Sequence, residues 1–146
     1  STWRVADALL ALARGDTARA RMRVDRHFRQ ASQTELAGSP GIIRAFGWGD
    51  LLARLGEPRL AIDAYASIDT NGVRQSQPGF AVRSHAERGA LYQLLGDVPR
   101  AIEHYEQFIK AWQHADPPLQ PAVERAREAV RLLRSGARPV QPPPPT

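Results

Sequence analysis

The sequence contains no cysteine, one methionine and a single lysine, Lys110, among 20 basic residues. The absence of cysteine excludes disulfide bonds and thiolate metal sites, and it leaves the redox compartment unmarked. No apolar run approaches the roughly 18 residues of a membrane span and no signal peptide is visible, so we predict a soluble protein, cytoplasmic or exported. The chain begins at Ser1 without methionine, which indicates a processed protein or a piece of a longer one.

Sequence patterns for catalysis and cofactor binding are also missing. There is no Gly-x-Ser-x-Gly, no phosphate-binding loop and no Gly-x-Gly-x-x-Gly, and the histidines show no His-x3-His or His-Glu-x2-His spacing. Carboxylate pairs such as Glu103 and Glu106 suit an exposed helix face. We therefore predict that the chain is not an enzyme and has no cofactor and no metal.

The chain does contain an internal repeat. Residues 51–68 read LLARLGEPRLAIDAYASI, and residues 91–108 read LYQLLGDVPRAIEHYEQF. The identical pairs in this gap-free alignment are Leu51/Leu91, Leu55/Leu95, Gly56/Gly96, Ala61/Ala101, Ile62/Ile102 and Tyr65/Tyr105. Each copy predicts a helix that ends at Leu-Gly, an acidic residue near the next helix start, and proline in the first turn of that helix. A fixed-period helix–turn–helix unit indicates a helical repeat fold.

The alanines and tyrosines of the repeat predict how the two helices of a unit meet. Ala61 and Ala101 are small enough to let antiparallel helices approach closely, and Tyr65 and Tyr105 lie one turn further along the same face. A degenerate first copy precedes them, because Gly15 is followed by an alanine, Ala20, at the same interval of five residues. The three glycines are spaced by 41 and then 40 residues, at positions 15, 56 and 96.

These positions resemble the tetratricopeptide repeat (TPR) family, whose motif is Trp-x2-Leu-Gly-x2-Tyr, then Ala-x3-Phe, then Pro. The residues at the family's spacing are Gly49, Ala61 and Tyr65 in the second unit and Gly89, Tyr92, Ala101 and Tyr105 in the third. Trp48 lies at the family's large apolar position. The sequence departs from the family at Ala45 and His85, at Ile68 and Phe108, and in a period longer than the usual roughly 34 residues. The resemblance covers about residues 42–115.

The resemblance implies an all-α, right-handed α-solenoid of three helix pairs. We expect a repeat domain over residues 1–135, with units at 3–34, 42–68 and 82–115, a capping helix at 118–135 and an extended Pro-rich tail at 136–146. The segment Asp69–Phe80 is predicted to be an irregular connection with turns at Asn71-Gly72 and Pro78-Gly79. Asp116 is predicted to cap the last helix, whose apolar stripe is Leu119, Val123, Ala126, Val130 and Leu133.

The resemblance also implies a site, because TPR ligands commonly lie in a concave groove lined by the first helix of each unit. Carried over by position, the groove residues are Phe46, Asp50, Arg54, Arg83, Ala90 and Gln93. A second candidate surface serves self-association. It comprises Trp3 at the open first repeat and the tail prolines Pro142, Pro143, Pro144 and Pro145.

The function predicted from the sequence is a non-catalytic, bacterial protein–protein interaction module or scaffold that self-assembles end to end into an oligomer or filament. The alternative is the C-terminal regulatory or sensory region of a larger bacterial kinase or transcriptional activator, binding a different protein. A distant third is nucleic-acid binding through the Arg-rich face of residues 14–29, which lacks interleaved aromatic residues. The net charge of +5 permits an acidic partner.

Overall fold

The computed structural model describes residues 2–30, 41–70 and 78–136. Within these ranges the chain forms seven α-helices and a short 3-10 turn and no strand, so the prediction of an all-α protein is confirmed. The elements are α1 (Thr2–Ala13), α2 (Thr17–Gln30), α3 (Gly41–Arg54), α4 (Pro58–Thr70), α5 (Pro78–Leu94), α6 (Val98–Trp112), the 3-10 turn (Pro117–Leu119) and α7 (Gln120–Ser135). None of the helices in these ranges is long and apolar enough to cross a membrane.

The helices pack as consecutive pairs. α1 packs against α2, α3 against α4 and α5 against α6, and α7 then packs on α6. Between pairs, α4 contacts α5, and α1 contacts α3. Each pair therefore uses one face for its own partner helix and another for its neighbour, as a helical repeat requires.

The three turns within the pairs have the same backbone geometry. Gly15, Gly56 and Gly96 each have φ of 77°, a left-handed conformation that strains any residue with a side chain. In the third turn the Gly96 amide donates to the Gln93 carbonyl at 3.1 Å, and the Asp97 amide donates to the Tyr92 carbonyl at 2.9 Å. The other two turns repeat both bonds, so all three are Schellman motifs. The prediction that a helix ends at each of these glycines is therefore confirmed.

The acidic residue after each glycine has two different roles. Asp16 and Asp97 accept hydrogen bonds from backbone amides three residues later, at 3.0 and 3.2 Å, and so act as N-caps. Glu57 instead pairs with Arg21 of the preceding unit at 3.4 Å, and the same arginine donates to the Leu55 carbonyl at 2.6 Å. A cation at the C-terminal end of α3 is favourable, because the helix dipole is negative there.

Close approach within the second and third pairs depends on a glycine that meets a tyrosine ring. A Cβ placed on Gly49 would lie 2.5 Å from Tyr65, and one on Gly89 would lie 2.9 Å from Tyr105. Both tyrosines are buried, and the alanines one turn before them, Ala61 and Ala101, are fully buried as predicted. In the first pair the equivalent positions hold Ala8 and Val24, both buried. A larger residue on one helix is thus matched by a smaller one on the other.

Two local predictions were wrong. Asp69, Pro78 and Gly79 do not belong to an irregular connection, because α4 runs to Thr70 and α5 begins at Pro78. Proline suits a first helical position, where no amide hydrogen is needed, so Pro78-Gly79 starts a helix instead of making a turn. Asp116 precedes the 3-10 turn, and its side chain makes no capping bond. Asn71-Gly72 lies outside the described residues.

The last helix buries one stripe and exposes charges on the other side. Val123, Ala126 and Val130 are buried, Leu133 is half-buried, and Leu119 is 38% exposed. The exposed side carries the ion pairs Glu124–Arg127 and Glu128–Arg131. Gly136 ends the helix in the left-handed conformation. A polar outer face is the property that a capping helix needs.

We expect Gly49→Ala to destabilise the protein by about 1–3 kcal/mol, because the added methyl group overpacks against the Tyr65 ring. Gly79→Ala is the matched control, since Gly79 also lies in a helix but has nothing within 4 Å of an added Cβ. There the higher helix propensity of alanine is expected to stabilise by up to about 1 kcal/mol. Urea unfolding monitored by circular dichroism measures both, and equal effects would contradict the assigned contact.

Candidate functional site

A groove of about 530 Å³ lies between α5, α6 and the start of the last helix, and we name it the inner groove. One wall is α5, the floor is α6, and the other wall runs from the 3-10 turn into α7. Its residues are Arg83, Ala86, Glu87 and Ala90 on α5, with Leu119, Ala122, Arg125 and Ala126 on the opposite wall. Four of these eight wall residues are alanines, whose short side chains leave space between the walls.

The floor of the inner groove is aromatic. Tyr105, Phe108 and Trp112 line it from one side of α6, and the last two rings lie 5.2 Å apart. Trp112 is half-buried, and Phe108 is buried. Burial raises the pKa of Tyr105 to about 12, so its hydroxyl stays protonated and donates to Gln93 Oε1 at 3.0 Å. Trp112 is the one half-buried ring of the three, and it is the aromatic surface that an apolar anchor from a partner can reach.

Charged side chains stand at the rim. Arg83 and Arg125 carry positive charge on the two walls, and Glu87 lies one helical turn after Arg83. Desolvation by the groove raises the pKa of Glu87, although the Arg83 guanidinium acts in the opposite direction and Asp50 in the same. Burial, followed by the Glu87 and Asp50 charges, also raises the pKa of Tyr65. α3 and α5 therefore contribute to one electrostatic surface.

The predicted groove residues are only partly brought together. Arg83 and Ala90 line the inner groove, and Arg83 also lies over the Phe46 ring at 5.2 Å from its centroid. Phe46 contacts Tyr65 and Phe80, with ring centroids 5.3 and 5.7 Å apart. The remaining residues have structural partners, because Asp50 pairs with Arg54 at 3.1 Å and Gln93 accepts the Tyr105 hydrogen bond.

Other predicted sites lie outside what the structure describes or have structural contacts. The side chain of Trp3 and the tail prolines Pro142, Pro143, Pro144 and Pro145 fall outside the described residues. On the Arg-rich face, Arg21 binds the turn after α3, and Arg23 pairs with Asp7 at 2.8 Å. Two of its arginines thus join neighbouring helices.

A second cluster of ionisable groups lies between α4, α5 and α6. Arg88 is 4% exposed, and it pairs with Asp69 of the preceding unit at 2.8 Å. Its other nitrogens donate to the carbonyl and hydroxyl oxygens of Ser84, at 3.4 and 3.1 Å. A buried ion pair is costly to desolvate but also costly to break, so it specifies how the second and third units dock.

Two histidines extend this cluster. Nδ1 of His85 lies 2.9 Å from Nδ1 of His104, and the rings stack, with Tyr92 stacked on the other side of His104. Arg88 also lies 3.3 Å from Nδ1 of His85. A hydrogen bond from Arg88 requires an unprotonated Nδ1 on His85, because arginine only donates. Within residues 2–30, 41–70 and 78–136, no group of three or more acidic or histidine side chains is arranged to hold a metal.

Sequence reasoning missed this cluster and, as groove residues, all of the inner groove except Arg83 and Ala90. Arg88 occupies the position that Trp48 fills one unit earlier, and Trp48 is buried as predicted. The sequence did contain a signal for this cluster, because Arg88 is a charged residue at a repeat position that is apolar in the preceding unit. Phe108, Trp112 and Arg125 were missed as groove residues because their exposure depends on how α7 docks on α6.

A scan against protein-family models, a search of curated proteins and a search of solved structures each return no match for this chain.

We expect acid to destabilise the protein through His104. Desolvation lowers the pKa of His104, and the Arg88 guanidinium lowers it further, against the opposing charges of Glu103 and Asp69. As the pH falls below the ordinary value of 6.5, the unfolded chain therefore takes up this proton before the folded one does. The contribution that neutral His104 makes to the free energy of unfolding is complete above that pH and is lost as the pH falls below it.

His104→Gln should reduce the drop in melting temperature between about pH 7.5 and about pH 5, because it removes this proton uptake. His114→Gln, at an exposed position after α6, is the control and should leave the drop unchanged. A drop that persists in full in His104→Gln would show that other groups cause it.

Proposed function

We propose that this chain is a non-catalytic, TPR-like protein-interaction module that binds a segment of another protein in the inner groove. The single observation that carries the proposal is the aromatic floor of Tyr105, Phe108 and Trp112 between walls of alanine, flanked by charges. Binding grooves of this kind combine apolar anchors with a few polar groups that set orientation. The proposal applies equally to a free scaffold and to a regulatory region of a larger bacterial protein.

The solenoid architecture is part of this proposal. It is supported by the three equivalent turns, the recurring glycine–tyrosine contact and the packing of α4 on α5 and α6 on α7. The first helix of the third pair, α5, then supplies a wall of the groove, as the family resemblance implies. The last helix supplies the opposite wall, so the capping helix has a binding role as well as a covering one.

The test is selection of peptides of about 12 residues from a random phage-displayed library on the full chain. Ala90→Trp fills the groove and is expected to weaken binding of the selected peptides at least about tenfold. Ala111→Trp is the matched control, because Ala111 is an exposed alanine on α6 that does not line the groove. Peptides that bind both variants as well as the original chain would place recognition elsewhere.

Self-association is a second candidate function, and the exposure of one leucine of the first pair favours it. Leu51 and Leu91 are 0% and 7% exposed, because the preceding unit covers them, whereas the equivalent Leu10 of the first pair is 48% exposed. A second copy meeting the same face would bury Leu10. Both copies would then use one surface, which closes as a two-fold dimer instead of a filament.

Light scattering behind a sizing column tests this candidate. If the face is an interface, the chain elutes above its monomer mass of 16.1 kDa, and Leu10→Gln returns it to that mass. Leu94→Gln is the control, since Leu94 is 72% exposed on α5 and belongs to a different unit. A monomeric original chain would reject self-association through α1.

A further inference from the structure

A second groove, of about 500 Å³, lies on a different face of α6 and α7 and shares no residue with the inner groove. We name it the basic groove, because its rim carries four cations and a single carboxylate. These residues are Lys110, Arg127, Arg131, Arg134 and Glu106. The only lysine of the chain is among them.

The arginines of the basic groove remain available to a partner. The side chains of Arg127, Arg131 and Arg134 are 45%, 65% and 60% exposed, although each pairs with a glutamate. Exposed ion pairs of this kind contribute little, so a guanidinium exchanges one carboxylate for another at small cost. The four cations outnumber the three glutamates that pair with them by one, so the groove keeps a small excess of positive charge that a carboxylate-bearing partner can neutralise.

The floor of the basic groove is apolar. Val130 is buried and Ile109 is half-buried, and both lie between the charged rims. A phosphate backbone has no apolar stripe to place on such a floor. A helix with leucine-like residues on one face and carboxylates on its flanks matches both the floor and the rim.

Helix packing earlier in the chain indicates the same occupant. α3 is covered by α4, and α5 by α6, whereas α7 is the last helix in the described ranges. A second copy is a poor donor at its first pair, because α2 carries Arg19, Arg21, Arg23 and Arg26.

We propose that the basic groove binds an acidic amphipathic helix from a different protein, which packs on α6 and α7 as a further helix of the stack. The apolar stripe of the partner helix covers Ile109 and Val130. Its carboxylates pair with Lys110, Arg127, Arg131 and Arg134. This site is separate from the inner groove, and the two can be occupied together.

The test uses a synthetic helical peptide of about 18 residues with leucines at helical spacing and glutamate elsewhere, and a twin with lysine in place of glutamate. Fluorescence anisotropy measures their binding to the full chain. The glutamate peptide should bind, and Arg127→Glu should weaken it at least about tenfold. Arg59→Glu is the matched control, because it makes the same charge change at an exposed arginine of α4 that lines neither groove.

Two further outcomes decide between partners. In Lys110→Glu/Arg127→Glu the lysine peptide should now bind and the glutamate peptide should not, which would confirm charge pairing in this groove. Equal losses in Arg59→Glu and Arg127→Glu would overturn the assignment, since overall charge would then explain the binding. A single-stranded oligonucleotide that binds more tightly than the glutamate peptide and is lost in Arg127→Glu would also overturn it, because the groove would then serve nucleic acid.

Discussion

The contact between a tyrosine ring and a glycine on the preceding helix determines how closely the second and third pairs pack. Tyr65 lies against Gly49 and Tyr105 against Gly89, at distances that leave no room for a Cβ. The Schellman turns set the chain direction between the two helices, and the alanines before the tyrosines keep the interface narrow.

The stacking contacts themselves differ from unit to unit. Equivalent positions hold Asp7, Trp48 and Arg88, and only the last two are covered by a preceding pair. Trp48 makes an apolar junction, whereas Arg88 makes a polar one with Asp69 and brings the two histidines into contact. The same turn geometry thus supports two junctions of different chemistry.

The last helix has more than a covering role. By docking on α6 it completes the inner groove with Leu119 and Arg125 and, on another face, the basic groove with Arg127 and Arg131. The exposed arginines of α7 therefore lie on two surfaces of different chemistry. The inner groove offers aromatic rings between alanines, and the basic groove offers cations above an aliphatic floor.

The sequence by itself determined the local elements, because their causes are local: glycines that need a left-handed backbone, acidic caps, prolines in first turns and one-sided apolar stripes. Even there it placed Pro78 in a turn and gave Asp116 a capping role, since proline and aspartate suit both a turn and a helix start. Only the tertiary structure decided which exposed side chains share a surface. Arg83 meets Phe46, His85 meets His104, and Arg125 and Arg127 face different grooves, because these juxtapositions depend on the distances and angles between packed helices.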